Sequence, residues 1–291
     1  MSDLVEWFSR EKRALPWRKA DCTAWGVLVS EIMLQQTPVP RVIPAFEAWM
    51  HRWPTPSDLA SDSAAEAVRM WGRLGYPRRA RRLHQAATII TQQHGGDVPL
   101  DLDDLLALPG VGDYTARAVR CFAWGFPEPV VDTNVRRVVA RAVLGQAQAG
   151  PPRLRADLAT TTDLLSTLNS AEAQCQGAAA LMELGAVCCT AKKPQCDACP
   201  ITHACAWAKA GYPDYEGPLP AKQARYEGSD RQVRGIILRE MRESDIPIPR
   251  EFLFTLWSDV TQLERALESL NNDGLIHEAP GSPGCYELST Q

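Results

Sequence analysis

Two carboxylates and a crowd of cysteines are the residues of this chain whose types and spacing could do chemistry. Glu31 lies in "WGVLVSEIMLQQT", with Val27, Leu28, Leu34 and Gln35 three and four positions away. If the stretch is helical, three of those four neighbours are hydrocarbon, and desolvation raises the pKa of a carboxyl held among them. A carboxyl kept protonated near neutral pH is a general acid. The same pattern suits a buried glutamate satisfied by a backbone or arginine partner, so both readings stand on this stretch alone. Asp132, in "VVDTNVRRVVAR", precedes Val135, Val138, Val139 and Val143 at helical spacing and is placed to cap a helix start. There the free N–H groups and the helix dipole favour its anion. Capping accounts for Asp132 locally, and a reaction needs a partner from elsewhere in the chain. Glu31 supplies one, because a protonated and an ionised carboxyl divide the work when a glycosidic bond breaks through an oxocarbenium-like state.

Cys188, Cys189, Cys196, Cys199 and Cys205 crowd into one short segment, and four of them follow the order C-x6-C-x2-C-x5-C. Four thiolates can hold zinc or a [4Fe-4S] cluster; zinc sites usually come as two tight pairs, whereas this spacing is asymmetric. Cys188 falls outside the set and is expected to be buried. The N-terminus has no apolar centre of the signal-peptide kind and no run reaches membrane-span length, so the chain is expected to be soluble and intracellular, with metal ligation favoured over disulfides. A third feature is "LPGVGDYTARAV". Gly110, Val111 and Gly112 there could turn successive N–H groups toward one phosphate at a helix start, or could form a plain turn.

Helices must position these groups. Helical periodicity marks "TAWGVLVSEIMLQQT", "SDSAAEAVRMWGRL", "RRARRLHQAATIITQQH", "DLDDLLAL", "YTARAVRCFAWG", "NVRRVVARAVLG", "LRADLATTTDLLSTLN" and "GAAALMELGAVCC", with Pro, Gly or Asp between them. The expectation is an all-α body over residues 1–212, a polar Pro- and Gly-rich linker over 213–229, and a small separate module over 230–291. The module reads as helical stripes followed by two short strands around a Pro-Gly turn, which suits a winged-helix-like unit or a packing and partner-docking extension. The net charge of -4 argues against a protein that coats nucleic acid by bulk charge. Arg78, Arg79, Arg81 and Arg82, and Arg136, Arg137 and Arg141, are local basic clusters of the kind usually found on solvated helix faces.

The cysteine spacing, with "MELGAVCCT" before it, resembles the cluster loop that closes the catalytic domain of the endonuclease III superfamily of base-excision DNA glycosylases. "LPGVG" is similar to the helix-hairpin-helix of that superfamily. "LPWR", "SEIMLQQTPV", "RLGYPRRARRLH", "LPGVGDYTA" and "VVDTNVRRV" together resemble the MutY-type adenine DNA glycosylases, block by block and in order. The resemblance implies a helix-hairpin-helix glycosylase fold, with a six-helix barrel over about 22–128 and a cluster subdomain from 1–21 and 129–212. It implies a [4Fe-4S] cluster on Cys189, Cys196, Cys199 and Cys205 that orders a DNA-facing loop carrying Lys192 and Lys193. By the same resemblance Glu31 protonates adenine at N7, Asp132 stabilises or briefly bonds to the deoxyribose cation, and Tyr114 and Asn134 support them. Gln36 and Tyr76 would wedge into the duplex while adenine turns into a pocket of Trp17, Arg18, Leu34 and Val39. The implied partner is double-stranded DNA with a mismatched or oxidised base pair, met by a monomer.

Tyr114 stands where strand-cleaving relatives have lysine, and a phenol forms no imine, so base removal without strand cutting is expected. Other departures are Arg73 and Pro77 in "RLGYP", and Ala179 where a Gln or Glu commonly meets the adenine edge. The roughly sixty residues after the linker are also too few for the MutT-like domain that senses 8-oxoguanine in many family members. Excision of adenine opposite 8-oxoguanine or guanine is therefore the leading expectation. A thymine or uracil mismatch glycosylase and a non-catalytic cluster-bearing DNA-binding regulator are the competing readings.

Overall fold

The computed structural model describes residues 1–218 and 225–290; residues 219–224, inside the expected linker, and Gln291 lie outside the described residues. The first helices are α1 (Ser2–Glu11), α2 (Ala24–Leu34), α3 (Val39–Arg52), α4 (Pro56–Ser61), α5 (Ala64–Trp71) and α6 (Arg78–Gln93). They are followed by α7 (Leu102–Ala107), α8 (Asp113–Trp124), α9 (Thr133–Ala142), α10 (Leu154–Leu165), α11 (Ala171–Val187) and α12 (Ala206–Lys209). The C-terminal part adds α13 (Asp230–Glu243), β1 (Ile248–Pro249), α14 (Arg250–Leu253), α15 (Val260–Asn272), β2 (Ile276–Glu278) and β3 (Cys285–Leu288). No helix among the described residues is long and apolar enough to cross a membrane.

Local chemistry sets most of the boundaries. Thr55 and Asp58 form a reciprocal capping box at α4, and Ser63, Asp101, Asp132, Ser170 and Asp259 each accept an N–H bond at the start of α5, α7, α9, α11 and α15. α2 ends at Leu34, the last residue of its apolar run, and Gln36 just beyond it turns left-handed, with φ of 56°. Four helices absent from the sequence reading are α1, α3, α4 and the short α12. α3 contains Pro40 in its first turn, where no N–H bond is lost, and Pro44 inside it, where one is.

The described residues fall into two compact units, each discontinuous in sequence. One takes Met1–Val27 and the described part of Val111–Ala221. Its core joins Leu4 and Phe8 of α1 to Ala118 and Cys121 of α8, Val135, Val138 and Val139 of α9, and Leu181 and Leu184 of α11. The other takes Leu28–Gly110 and the described part of Lys222–Gln291. Trp49, Trp53 and Trp71 pack edge to face at its centre, with ring centroids 4.7 and 5.6 Å apart.

The C-terminal residues read from sequence as a small separate module pack within this second unit. Helix, strand, two helices and two strands follow one another, and β3 pairs antiparallel with both β1 and β2, a winged-helix-like arrangement. β1 is an element the periodicity did not reveal. Arg69 Nη1 of α5 donates to the Arg242 and Ser244 carbonyls at the end of α13, at 2.7 and 2.9 Å, satisfying groups a helix C-terminus leaves free. Arg242 in turn donates to Val68 O at 3.0 Å, and Asp273 pairs with Arg78 of α6 and Arg234 of α13.

Candidate active site and cluster loop

Each unit carries its own share of the expected site residues. In the second, the predominantly apolar α2 carries Glu31, which is 4% exposed. Leu34 closes the same helix and Val39 opens α3; both are partly buried. Between them stands Gln36, exposed and at φ 56°, while Tyr76 is 44% exposed at φ 49°. Positive φ in a non-glycine residue costs on the order of 1–3 kcal/mol and persists where the surroundings impose it. Two residues of the expected wedge carry it.

The basic cluster on α6 is only partly the solvated face its pattern suggests: Arg78 and Arg82 are exposed, Arg81 is half-buried and Arg79 is buried. Arg79 is buried under the loops that carry Gln36 and Tyr76. Arg78 and Arg81 reach Asp273, and Arg82 lies so near Gly110 that a Cβ there would stand 3.1 Å from the arginine Cβ. Gly110 adopts φ 85°, as the hairpin reading requires, whereas Gly112 is extended and caps α8 by its backbone alone. The sequence expectation of special backbone at both glycines is thus corrected to Gly110. Val111 between them is buried.

In the first unit Asp132 caps α9: Oδ1 accepts from Val135 N at 2.7 Å, and Oδ2 accepts from Asn134 Nδ2 at 2.7 Å. The expectation of an environment opposite to that of Glu31 needs correction. Burial pushes the Asp132 carboxyl above its usual range, and the bonds from Val135 and Asn134 only partly oppose it. Tyr114, on the first turn of α8, is partly buried against the same core. Asn134 is held in turn, since Arg137 Nη2 donates to its Oδ1 at 2.8 Å and Arg137 Nε donates to Cys189 O at 2.8 Å. A continuous hydrogen-bonded path therefore runs from Asp132 to the backbone of a cluster cysteine. Gly185 of α11 makes room for it, because a Cβ there would stand 2.7 Å from Asn134 Cβ and 2.9 Å from its carbonyl oxygen.

Trp17 and Arg18 end a short 3-10 turn, Pro16–Arg18. Arg18 is tied to Glu183, a residue the sequence reading passed over. Glu183 is 1% exposed and receives Arg13 Nε at 2.7 Å, Arg13 Nη2 at 2.8 Å and Arg18 Nη2 at 2.9 Å. Burial alone would raise its pKa, but the two guanidinium groups bring it down to about 2. It lies one helical turn past Ala179 in "LMELGA", and the signal for it is a carboxylate alone in the apolar second half of α11, "GAAALMELGAV".

Cys188, Cys189, Cys196, Cys199 and Cys205 line one pocket with Val138, Leu184, Ile201 and Trp207. Cys188 is the buried one and donates to Gln195 O at 3.2 Å. Arg141 braces the pocket: its guanidinium donates to Cys189 Sγ at 3.3 Å, Thr190 O at 2.7 Å and Ala191 O at 3.2 Å, over the Trp207 ring. Arg136 and Arg137 are also internal ties, to Asp157 and to Asn134, Gly185 and Cys189. No three His, Cys, Asp or Glu side chains among the described residues stand close enough to hold a single metal ion. Four soft thiols facing a largely apolar pocket fit a polynuclear iron-sulfur group better than a lone zinc. Lys192 and Lys193 are exposed on the loop that Arg141 holds by its backbone.

Comparison with known proteins bears on both halves of this arrangement. The profile described as HhH-GPD superfamily base excision DNA repair protein matches residues 29–162, and the iron-sulfur binding domain of endonuclease III matches residues 189–205. The adenine DNA glycosylase of Mycobacterium tuberculosis is 51% identical over 276 residues, spanning 94% of this chain and 89% of that protein. That of Mycolicibacterium smegmatis is 50% identical over 277 residues, spanning 95% and 92%. Among solved structures, a thermostable thymine-DNA glycosylase superposes with a TM-score of 0.63 at 26% identity, covering 72% of this chain and 94% of that one.

Proposed function

Because this chain belongs to the adenine DNA glycosylase family, within the HhH-GPD superfamily of base excision DNA repair proteins, we propose that it excises adenine mispaired with 8-oxoguanine or guanine in double-stranded DNA. The observation that carries this reading is half-identity to two adenine DNA glycosylases over nearly the whole length of all three chains, C-terminal residues included. The reaction is hydrolysis of the N-glycosidic bond, inside the cell. The catalytic region is residues 1–212, with residues 230–291 as a supporting module.

Glu31 delivers a proton to N7 of adenine, which makes the base a better leaving group; its burial on the apolar α2 supports that role. Asp132 stabilises the deoxyribose cation. A carboxylate withdrawn from water interacts more strongly with a nearby positive charge, and its bonds to Val135 and Asn134 fix where it points. Tyr114 and Asn134 support the aspartate and help place water, and without a lysine at 114 the sugar-phosphate strand stays intact. Gln36 and Tyr76 wedge the duplex as adenine turns out into a pocket of Trp17, Arg18, Leu34 and Val39, and the wedging offsets the few kcal/mol of unstacking. The Gly110, Val111 and Gly112 turn takes a backbone phosphate, and Lys192 and Lys193 take another. Cys189, Cys196, Cys199 and Cys205 hold a [4Fe-4S] cluster, which when bound orders that loop and leaves the chemistry to the carboxylates.

The test is a panel of duplexes containing A:8-oxoguanine, A:G, T:G and U:G, treated with hot alkali after incubation to reveal abasic sites. Cleavage of the A-containing duplexes, only after alkali, is expected. Cleavage confined to T:G or U:G would overturn the adenine assignment in favour of the activity named for the thymine-DNA glycosylase neighbour. Glu31→Gln is expected to bind A:8-oxoguanine duplex and leave the base attached; turnover by that variant removes Glu31 from its role.

A further inference from the structure

Gln36 and Tyr76 leave two different loops of one compact unit, and one side chain lies beneath both. Arg79 Nη1 faces the carbonyl oxygens of Ile32, Met33 and Gln35 at 2.8, 3.0 and 2.7 Å, gathering the end of α2 just before Gln36. Its Nη2 donates to Thr37 Oγ1 at 2.9 Å and to Gly75 O at 3.0 Å, on either side of the gap between the loops. Thr37 Oγ1 completes the clasp by donating to Leu74 O at 3.2 Å. The guanidinium also lies over the rings of Trp71 and Tyr76, 5.1 and 5.5 Å from their centroids.

This use of an arginine is unusual in its balance. The residue is buried, and among the described residues no carboxylate pairs with it; every hydrogen-bond acceptor given to it is a backbone carbonyl or a hydroxyl. Burying an uncompensated cation is costly, and a methionine or leucine would fill the same space without that cost. A planar fork with fixed donor directions does what neither can, because it sets the distance and angle between two separate strands of backbone. Those two strands end in non-glycine residues of positive φ, conformations that need outside support.

We propose that Arg79 is the positioning residue of the wedge: it clasps the Ile32–Thr37 turn to the Leu74–Tyr76 turn and so fixes Gln36 and Tyr76 relative to each other for base extrusion. This rests on the reading of Gln36 and Tyr76 as the wedge. Arg79 touches no reacting atom in this scheme and acts wholly through those two side chains.

The experiment compares cluster-loaded wild type, Arg79→Gln, Arg79→Lys, and a Gln36→Ala/Tyr76→Ala control. Two readouts are taken: single-turnover excision from A:8-oxoguanine duplex, and fluorescence of 2-aminopurine placed at the target position as a report of extrusion. Excision is also measured on a duplex whose adenine lies opposite an abasic site and is already loosely stacked. Arg79→Gln is expected to slow excision from the intact duplex on the order of 10²-fold, the scale of an ångström misplacement, to lose the fluorescence rise, and to recover most of its rate on the loosened substrate. Arg79→Lys keeps the charge but not the fork and should fail in the same way. Adding Arg79→Gln to the Gln36→Ala/Tyr76→Ala control should cost little more. If Arg79→Gln extrudes normally, or is equally slow on both substrates, the clasp is overturned while the wedge stands. If the double-alanine control itself extrudes normally, the wedge reading fails instead. Should the Arg79 variants not fold, Thr37→Val removes one bond to each loop and must show the same pattern to a smaller degree; normal extrusion by a folded Thr37→Val would also overturn the clasp.

Discussion

Glu183→Gln removes the charge on which Arg13 and Arg18 converge. A carboxyl that titrates near 2 instead of near 4.5 has its anion favoured by about 3 kcal/mol in the folded state. The side chain is fully withdrawn from solvent, so that figure needs no discount for screening. Breaking a buried pair by deleting one partner commonly costs about 3–5 kcal/mol, which agrees in scale. Because the folded pKa lies below the unfolded one, this stability is complete above about pH 4.5 and is lost as the pH falls toward about 2. Urea unfolding of wild type and Glu183→Gln at several pH values isolates the effect, since other carboxylates titrate alike in both proteins. The expected difference is about 3 kcal/mol at pH 7, unchanged to about pH 5, and shrinking with further acid. A difference that stays level across the acid range, or grows there, would refute the assignment of the pairing energy to an ionised Glu183. Arg18 is the functional side of this result. Freed of its partner, it should no longer hold one orientation at the proposed pocket, and excision should slow along with the loss of stability.

Other expectations follow from the same geometry. Arg137→Gln or Asn134→Ala interrupts the path between Asp132 and Cys189, so single-turnover excision should fall on the order of 10²-fold while duplex binding, read by gel shift, changes little. Gly185→Ala forces a methyl against Asn134 and should cost about 1–3 kcal/mol in thermal or urea unfolding, with a matching drop in rate. Arg69→Met strips two short bonds from the end of α13 and should lower unfolding stability by about 2 kcal/mol without changing the rate constant of the folded enzyme.

The helices that carry the site were legible because their signals are local. Asp132, Ser63 and Asp101 announce helix starts by residue type, and the valines after Asp132 give the face that α9 buries. α3 is hard to see for an equally local reason: Pro40 and Pro44 interrupt its pattern, although its apolar stripe through Val42, Phe46 and Trp49 is buried. What one-dimensional reading cannot supply is the partner of a charge. Arg79, Arg137 and Arg141 belong to clusters that read as solvated helix faces, and each donates to carbonyls distant in sequence. Glu183 was hidden for the same reason, since Arg13 lies 170 positions away. The Asp132 environment was misjudged because a cap was visible and the packing that desolvates it was not.

Both units are assembled from segments that the chain delivers far apart in time. Leu4 and Phe8 emerge from the ribosome early, yet the α11 residues Leu181 and Leu184 that cover them come long after. At about 5–20 residues per second, that gap is on the order of 10–30 s, during which apolar helices made first have no partner to bury against. The second unit waits about as long, because Arg69 of α5 finds its carbonyls only when α13 has been made. Loop closures this long make for slow folding, so translation rate and holdase chaperones should govern the yield of active enzyme more than the intrinsic helicity of any segment does.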